Sequence, residues 1–99
     1  MNMQAIMAQA KKMQKELENT QKELEATTYE GKSSLVDVVV NGKKELLSVK
    51  IDAENAIEKD EIELLEDMIL VAVNDALKQA EKDKEKKLSK YGNGLTGLM

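Results

Sequence analysis

Six apolar side chains, Met-Ile-Leu-Val-Ala-Val, follow one another from Met68 to Val73, within a stretch from Asp60 to Tyr91 that reads as one long helix. Neighbouring residues on a helix point about 100° apart, so six in succession leave no polar face. A helix that is apolar all round must be buried all round. The sheet that a 99-residue chain builds beside such a helix covers one side of it. The other side is expected to meet a second copy of the chain, through Leu65, Met68, Ile69, Ala72, Val73 and Ala76.

The ends of this helix are marked. Asp60 suits the N-cap, with Glu61 and Glu63 at the positive end of the dipole. Lys86, Lys87 and Lys90 suit the negative end, and Gly92 a C′ position. Ile62, Leu65, Ile69, Ala72, Ala76 and Ala80 recur at 3- and 4-residue spacing as one stripe, and Leu64, Met68 and Val71 lie off it. Little else feeds a core, since the aromatics are Tyr29 and Tyr91 alone. A domain of this size buries roughly 60–65% of its unfolded surface, which again favours oligomerisation.

The inventory argues against an enzyme and against any cofactor or metal. There is no His and no Cys, hence no Ser-His-Asp triad, no thiolate nucleophile and no zinc site of the usual kind. Asp52 and Glu54 begin like a calcium loop, but Ala56 and Ile57 stand where an oxygen ligand and the glycine belong. The carboxylates from Glu61 to Asp67 lack the histidine of a di-iron pair. Gly92-Asn93-Gly94 has no strand before it and no helix after it, so it is no phosphate cradle. The opening residues carry their basic pair, Lys11 and Lys12, after the apolar segment rather than before it, unlike a signal peptide. No run approaches the ~18 apolar residues that span a bilayer. A cytoplasmic protein without a membrane segment or small-molecule substrate is expected.

Read in order, residues 2–25 form a first helix. Met3, Ile6, Ala10, Met13, Leu17, Thr20 and Leu24 keep a 3-4 spacing, the narrow seam of a coiled coil. This helix either packs on its own domain or projects to pair with another long helix. Thr27 to Tyr29 favour a short strand and Gly31 to Ser34 a turn. Ser34 to Val40 alternate as a strand, and Asn41-Gly42 is the signal for a type I′ hairpin turn. Lys44 to Asp52 return, with Leu47, Val49 and Ile51 on one face. Ala53 to Lys59 form an acidic connector. The fold class is α+β, in the order α-β-β-β-α, a three-stranded antiparallel sheet with long N- and C-terminal helices. Residues 1–92 form one domain and residues 93–99 a flexible tail.

Net charge is −4, but charge is unevenly spread. Asp52 to Asp67 hold eight acids against one lysine, and Lys78 to Lys90 hold six lysines against three acids. Lys78, Lys82, Lys86 and Lys90 recur at i, i+4. Each such like-charge pair destabilises a helix by about 0.2–0.5 kcal/mol, so the row reads either as a solvated face or as a stripe facing an anion. Lys11, Lys12 and Lys15 join it if the helices lie side by side. All fifteen basic residues are lysine, which contacts phosphate as a point charge and lacks the fork that reads guanine. Binding through this row would be weak in sequence preference and strongly salt-dependent.

The order of these pieces resembles the YbaB/EbfC family of bacterial nucleoid-associated proteins. The resemblance lies in Met7-Ala-Gln-Ala-Lys-Lys-Met-Gln-Lys-Glu-Leu17, Leu35-Val-Asp-Val-Val-Val-Asn-Gly42 and Val49-Lys-Ile-Asp52. Its most specific part is Leu65-Glu-Asp-Met-Ile-Leu-Val-Ala-Val-Asn-Asp-Ala-Leu77. The Lys32-Ser33-Ser34 turn departs from the Gly-rich sequence common in the family. The resemblance implies an intertwined homodimer whose long helices project as arms. It implies binding of duplex DNA with little sequence preference and roles in nucleoid organisation and gene regulation, without enzymatic activity. The candidate phosphate contacts are Lys11, Lys12, Lys15, Lys78, Lys82, Lys86 and Lys90. The alternative is a protein-interaction adaptor that uses the helical arms and makes no DNA contact.

Overall fold

The computed structural model describes residues 2–53 and 57–91. Helix α1 (Met3–Ala26) leads into strands β1 (Thr28–Ser33), β2 (Val36–Asn41) and β3 (Leu46–Ile51). Helix α2 (Ile62–Leu88) follows, with 3-10 turns Lys59–Glu61 before it and Ser89–Tyr91 after it. The strands form one antiparallel sheet in the order β1-β2-β3. This is the α-β-β-β-α arrangement expected from the sequence. Gly92, the expected flexible tail and residues 54–56 of the acidic connector lie outside the described residues.

Packing is organised by the alanine row of α2. Ala72, Ala76 and Ala80 are buried against Val36, Val38 and Val40, the alternate residues of β2. Small side chains let the helix backbone come close, and Gly31 on β1 completes the approach. A Cβ at Gly31 would lie 2.0 Å from the Ala72 carbonyl oxygen and 2.7 Å from the Ala76 nitrogen. This contact explains why the strand runs through Gly31 to Ser33 instead of turning there. The turn falls at Ser34 and Leu35, with Ser34 at φ 49°. The outer border of β1 is covered by polar side chains of α2: Gln79 donates to the Glu30 carbonyl at 2.8 Å, and the Lys32 N–H donates to Asp75 at 3.4 Å.

The second hairpin corrects the type I′ expectation. Neither Asn41 nor Gly42 takes a positive φ; Lys44 does, at 67°. The loop is longer, because the Asn41 side-chain oxygen accepts from the N–H groups of Lys43 (2.9 Å) and Glu45 (3.0 Å) and so builds its own turn. Gly42 serves a close approach instead. A Cβ there would lie 1.7 Å from the Leu24 carbonyl oxygen at the end of α1, and its N–H donates to the Thr27 carbonyl at 3.1 Å.

Strand β3 carries an irregularity opposite Val39 and Val40 that pairs Leu46, rather than Leu47, with Val40. Leu46, Val49 and Ile51 therefore share the face of Val40, Val38 and Val36. They remain between 40% and 49% exposed, whereas the three valines are fully buried. The reason is that α2 packs across β1 and β2, leaving the same face of β3 bare. The N-terminal half of α2 is bare as well on its outer sides, at Leu64, Leu70 and Val71. Its start has no side-chain cap, so Asp60 falls inside the preceding 3-10 turn rather than capping the helix.

Helix α1 is packed at one end only. Asn2 caps its start by accepting from the Gln4 N–H, and Thr27 closes its end on the Glu23 and Leu24 carbonyls. Leu24 is buried, Leu17 and Thr20 are half-buried, and Met3, Ile6, Met7 and Met13 are exposed. The Thr20 hydroxyl lies 3.3 Å from that of Tyr91, so α1 runs antiparallel to α2 and its first half extends past Tyr91. With 24 residues, α1 is about 36 Å long. That projection stretches the molecule to 72 × 20 × 14 Å. The C-terminal half of α1 thus packs on its own domain by the seam, and the N-terminal half projects from it.

Candidate nucleic-acid interface

Lys78, Lys82 and Lys86 along α2, and Lys90 in the 3-10 turn that follows it, are all exposed. What sets them apart is the fate of the acids between them. Glu81 is paired with Lys44 of the hairpin loop at 2.8 Å. The Lys44 contact holds the Glu81 carboxyl below its ordinary pKa. Asp83 accepts a 2.5 Å hydrogen bond from the Tyr29 hydroxyl and pairs with Lys87 at 3.2 Å. The Tyr29 bond is the main reason that Asp83 also titrates below its ordinary value, with Lys87 and, at longer range, Lys86 adding to it. The Tyr29 hydroxyl is pushed up to about 12, chiefly by burial and then by Asp83. Two of the three acids in the lysine-rich segment thus serve the fold, leaving Glu85 beside the row. Among the described residues no ion pair engages Lys78, Lys82 or Lys86, while Lys90 rests over the ring of Tyr91 at 5.2 Å.

The side of α2 that meets α1 is equally well fixed. Ala80 and Lys84 share a cleft of about 200 Å3 with Gln21, Leu24, Gly42 and Lys43, and Leu88 one turn on is buried. Lys78, Lys82 and Lys86 each stand two residues from a member of this Ala80–Lys84–Leu88 row. Two residues turn a helix by about 200°, so the lysines occupy the opposite edge of α2. The same rule operates on α1. Its packed seam runs through Leu17, Thr20 and Leu24; Lys15 and Lys22 lie two residues away, and Lys11 two residues from Met13 on the same line. Lys12 sits on the flank. All four lysines of α1 are exposed. The structure therefore gathers Lys78, Lys82, Lys86 and Lys90 into one row but does not bring Lys11, Lys12 and Lys15 into it. These three stand on the projecting half of α1, Lys11 and Lys15 opposite its packed seam and Lys12 on the flank.

Of the residues expected at a chain–chain contact, Ala72 and Ala76 are fully buried against the chain's own sheet and have no surface left to offer. The close approach to Gly31 consumes the alanine row. Leu65, Met68, Ile69 and Val73 are half-buried beside that core and keep part of their surface outward. Periodicity gives no sign of Lys43 and Lys84 at the cleft, nor of the roles of Lys44 and Lys87 in holding the acids. Their traces in the sequence are the Lys43-Lys44 pair after Gly42 and the i, i+4 spacing of Asp83 and Lys87. No helix of the described residues is long and apolar enough to cross a membrane.

Comparison with known proteins gives this geometry its context. A nucleoid-associated protein of Lactococcus lactis subsp. cremoris is 45% identical over 97 residues, covering 96% of this chain and 97% of its own. One of Ligilactobacillus salivarius is 38% identical over 100 residues, covering 99% and 95%. The crystal structure of an uncharacterized protein from Helicobacter pylori superposes with a TM-score of 0.66 at 23% identity, over 87% of this chain and 91% of that one. That likeness is one of fold. Residues 1–95 match the family described as YbaB/EbfC DNA-binding, a description that names no enzymatic activity, and the chain belongs to that family.

Proposed function

We propose that this protein is a homodimer that binds duplex DNA in the bacterial nucleoid through backbone phosphates, with little sequence preference. The observation that carries the reading is the row Lys78, Lys82 and Lys86, left unpaired among the described residues while Glu81 and Asp83 are held by Lys44, Tyr29 and Lys87. About 18 Å separates the ends of the Lys78–Lys90 row along the helix, half a turn of B-DNA. Lysine without arginine suits phosphates rather than base edges. Nucleoid-associated relatives across nearly the full chain support a cytoplasmic, nucleoid location and a part in nucleoid organisation and gene regulation. Lys11, Lys12 and Lys15 are further candidate contacts. The dimer is supported by the bare face of β3 and the exposed Leu64, Leu70 and Val71, with Leu65, Met68, Ile69 and Val73 beside them.

Gel-shift titration of a duplex over a salt series tests the reading. Binding is expected at ~50 mM salt and to weaken steeply as salt rises. A shift indifferent to salt, or none at low salt, rejects it. The exposed seam of Met3, Ile6 and Met13 on α1 favours one rival, an adaptor that grips another protein. Capture of a protein partner that survives nuclease treatment, with no DNA binding, would replace the first reading by the second.

A further inference from the structure

We propose that each two-helix arm holds two DNA segments at once, one on the lysine edge of α2 and one on the lysine edge of α1, so that the protein bridges duplexes. The inference rests on the DNA-binding reading above and goes beyond it. Where α1 and α2 run together they form a slab one helix thick and two helices wide. Lys78, Lys82 and Lys86 lie along one long edge, turned from the α1 contact by about 200°. Lys22 lies along the other, turned from the α2 contact by about the same angle, and Lys15 and Lys11 extend that line onto the projecting half, further still from the α2 row.

The width decides the matter. Two helices side by side span about 20 Å with their side chains. The Debye length is about 8 Å at physiological salt, so phosphates held at one edge feel little of the lysines at the other. A duplex seated on the α2 edge therefore leaves the α1 edge electrically unsatisfied and open to a second duplex. The α1 edge is strongest toward its tip. Residues 2–15 contain Lys11, Lys12 and Lys15 and no acid, whereas residues 16–25 contain Glu16, Glu18, Glu23 and Glu25 and the single lysine Lys22. Bulk condensation of DNA by overall charge does not account for such bridging, because the whole chain carries −4. Bridging therefore needs local rows such as these two.

The test uses the full chain. A biotinylated duplex is fixed to beads, protein is added at ~50 mM salt, and recovery of a second, labelled duplex of unrelated sequence is measured, alongside gel shifts with one duplex. Two variants are compared with the parent: Lys78→Gln/Lys82→Gln/Lys86→Gln and Lys11→Gln/Lys12→Gln/Lys15→Gln, each checked for parental helicity by circular dichroism. The parent is expected to recover the second duplex. Each variant is expected to shift a single duplex more weakly, on its one remaining edge and with that edge's own salt slope, and to recover the second duplex only at the protein-free background. A parent that shifts one duplex yet recovers no second one overturns the bridging and leaves the DNA reading standing. A parent that shifts no duplex overturns both. If either variant still recovers the second duplex, the edges are not separate sites and the two-edge assignment is wrong.

Discussion

Replacing Gly31 by alanine puts the fold's closest contact under direct strain. The added methyl would stand 2.0 Å from the Ala72 carbonyl oxygen, 2.7 Å from the Ala76 nitrogen and 2.9 Å from the Ala76 Cβ. Two of these three atoms are backbone, so no side-chain rotation relieves the overlap. Restoring ordinary contact at ~3.4 Å requires β1 and α2 to separate by about 1.4 Å. A separation of that size also lifts Ala72, Ala76 and Ala80 off Val36, Val38 and Val40, all of which are now buried. Overpacking of a core methylene destabilises by about 1–3 kcal/mol, and rigid backbone obstacles place this variant at the upper end. For a domain of this size, ~3 kcal/mol lowers the melting temperature by roughly 12–24 °C. The assay is thermal unfolding by circular dichroism at one fixed protein concentration, since self-association makes the midpoint concentration-dependent. A Gly31→Ala variant melting within about 3 °C of the parent would refute the reading of Gly31 as the point on which the packing closes.

Gly42→Ala meets the Leu24 carbonyl at 1.7 Å and is expected to unseat the end of α1, with the α2–sheet core left intact. Hydrogen exchange should rise in α1 and stay at parental protection in β2; uniform loss in both would argue against a local seat. Single charges on the bare apolar surface, Val49→Lys or Leu70→Glu, are expected to reduce self-association in light scattering without lowering helicity; an unchanged mass would move the interface elsewhere. Stability should also respond to pH at both ends. Tyr29 holds its proton more tightly folded, at about 12, than in an unfolded chain, near 10, so its contribution is complete below pH ~10 and lost as pH rises through 12. Glu81 and Asp83 are held low, so theirs is present above the ordinary carboxylate range and lost as pH falls through their folded pKa values. Tyr29→Phe should flatten the alkaline limb in urea titrations, and a limb of parental steepness would detach it from Tyr29.

Much of this architecture is legible in the sequence because periodicity reports which side of an element is dry. The alternation of Val36, Val38 and Val40 and the Ala72–Ala76–Ala80 stripe name both halves of the core. The run from Met68 to Val73 reads as needing cover on every side, and Leu70 and Val71 are indeed bare in the single chain. What periodicity does not convey is how closely elements approach. Gly31 looks like a turn residue, and Asn41-Gly42 looks like a positive-φ hairpin. In each case the missing Cβ makes room for a neighbouring backbone, a tertiary fact invisible to local sequence. The lysine row is legible as spacing, but its availability is not. That Lys44 and Tyr29 occupy Glu81 and Asp83 depends on contacts 37 and 54 residues apart. The separation of the α1 lysines from the α2 row likewise depends on the packing direction of the two helices.

The polar fringe on β1 has one more implication. Gln79 and Asp75 occupy the outer rim of that strand, while among the described residues β3 at the far rim has no such guard. A sheet with a single free border accepts one neighbour. When that neighbour is an identical chain joined border to border, the enlarged sheet ends in guarded rims on both sides and cannot grow into a fibre.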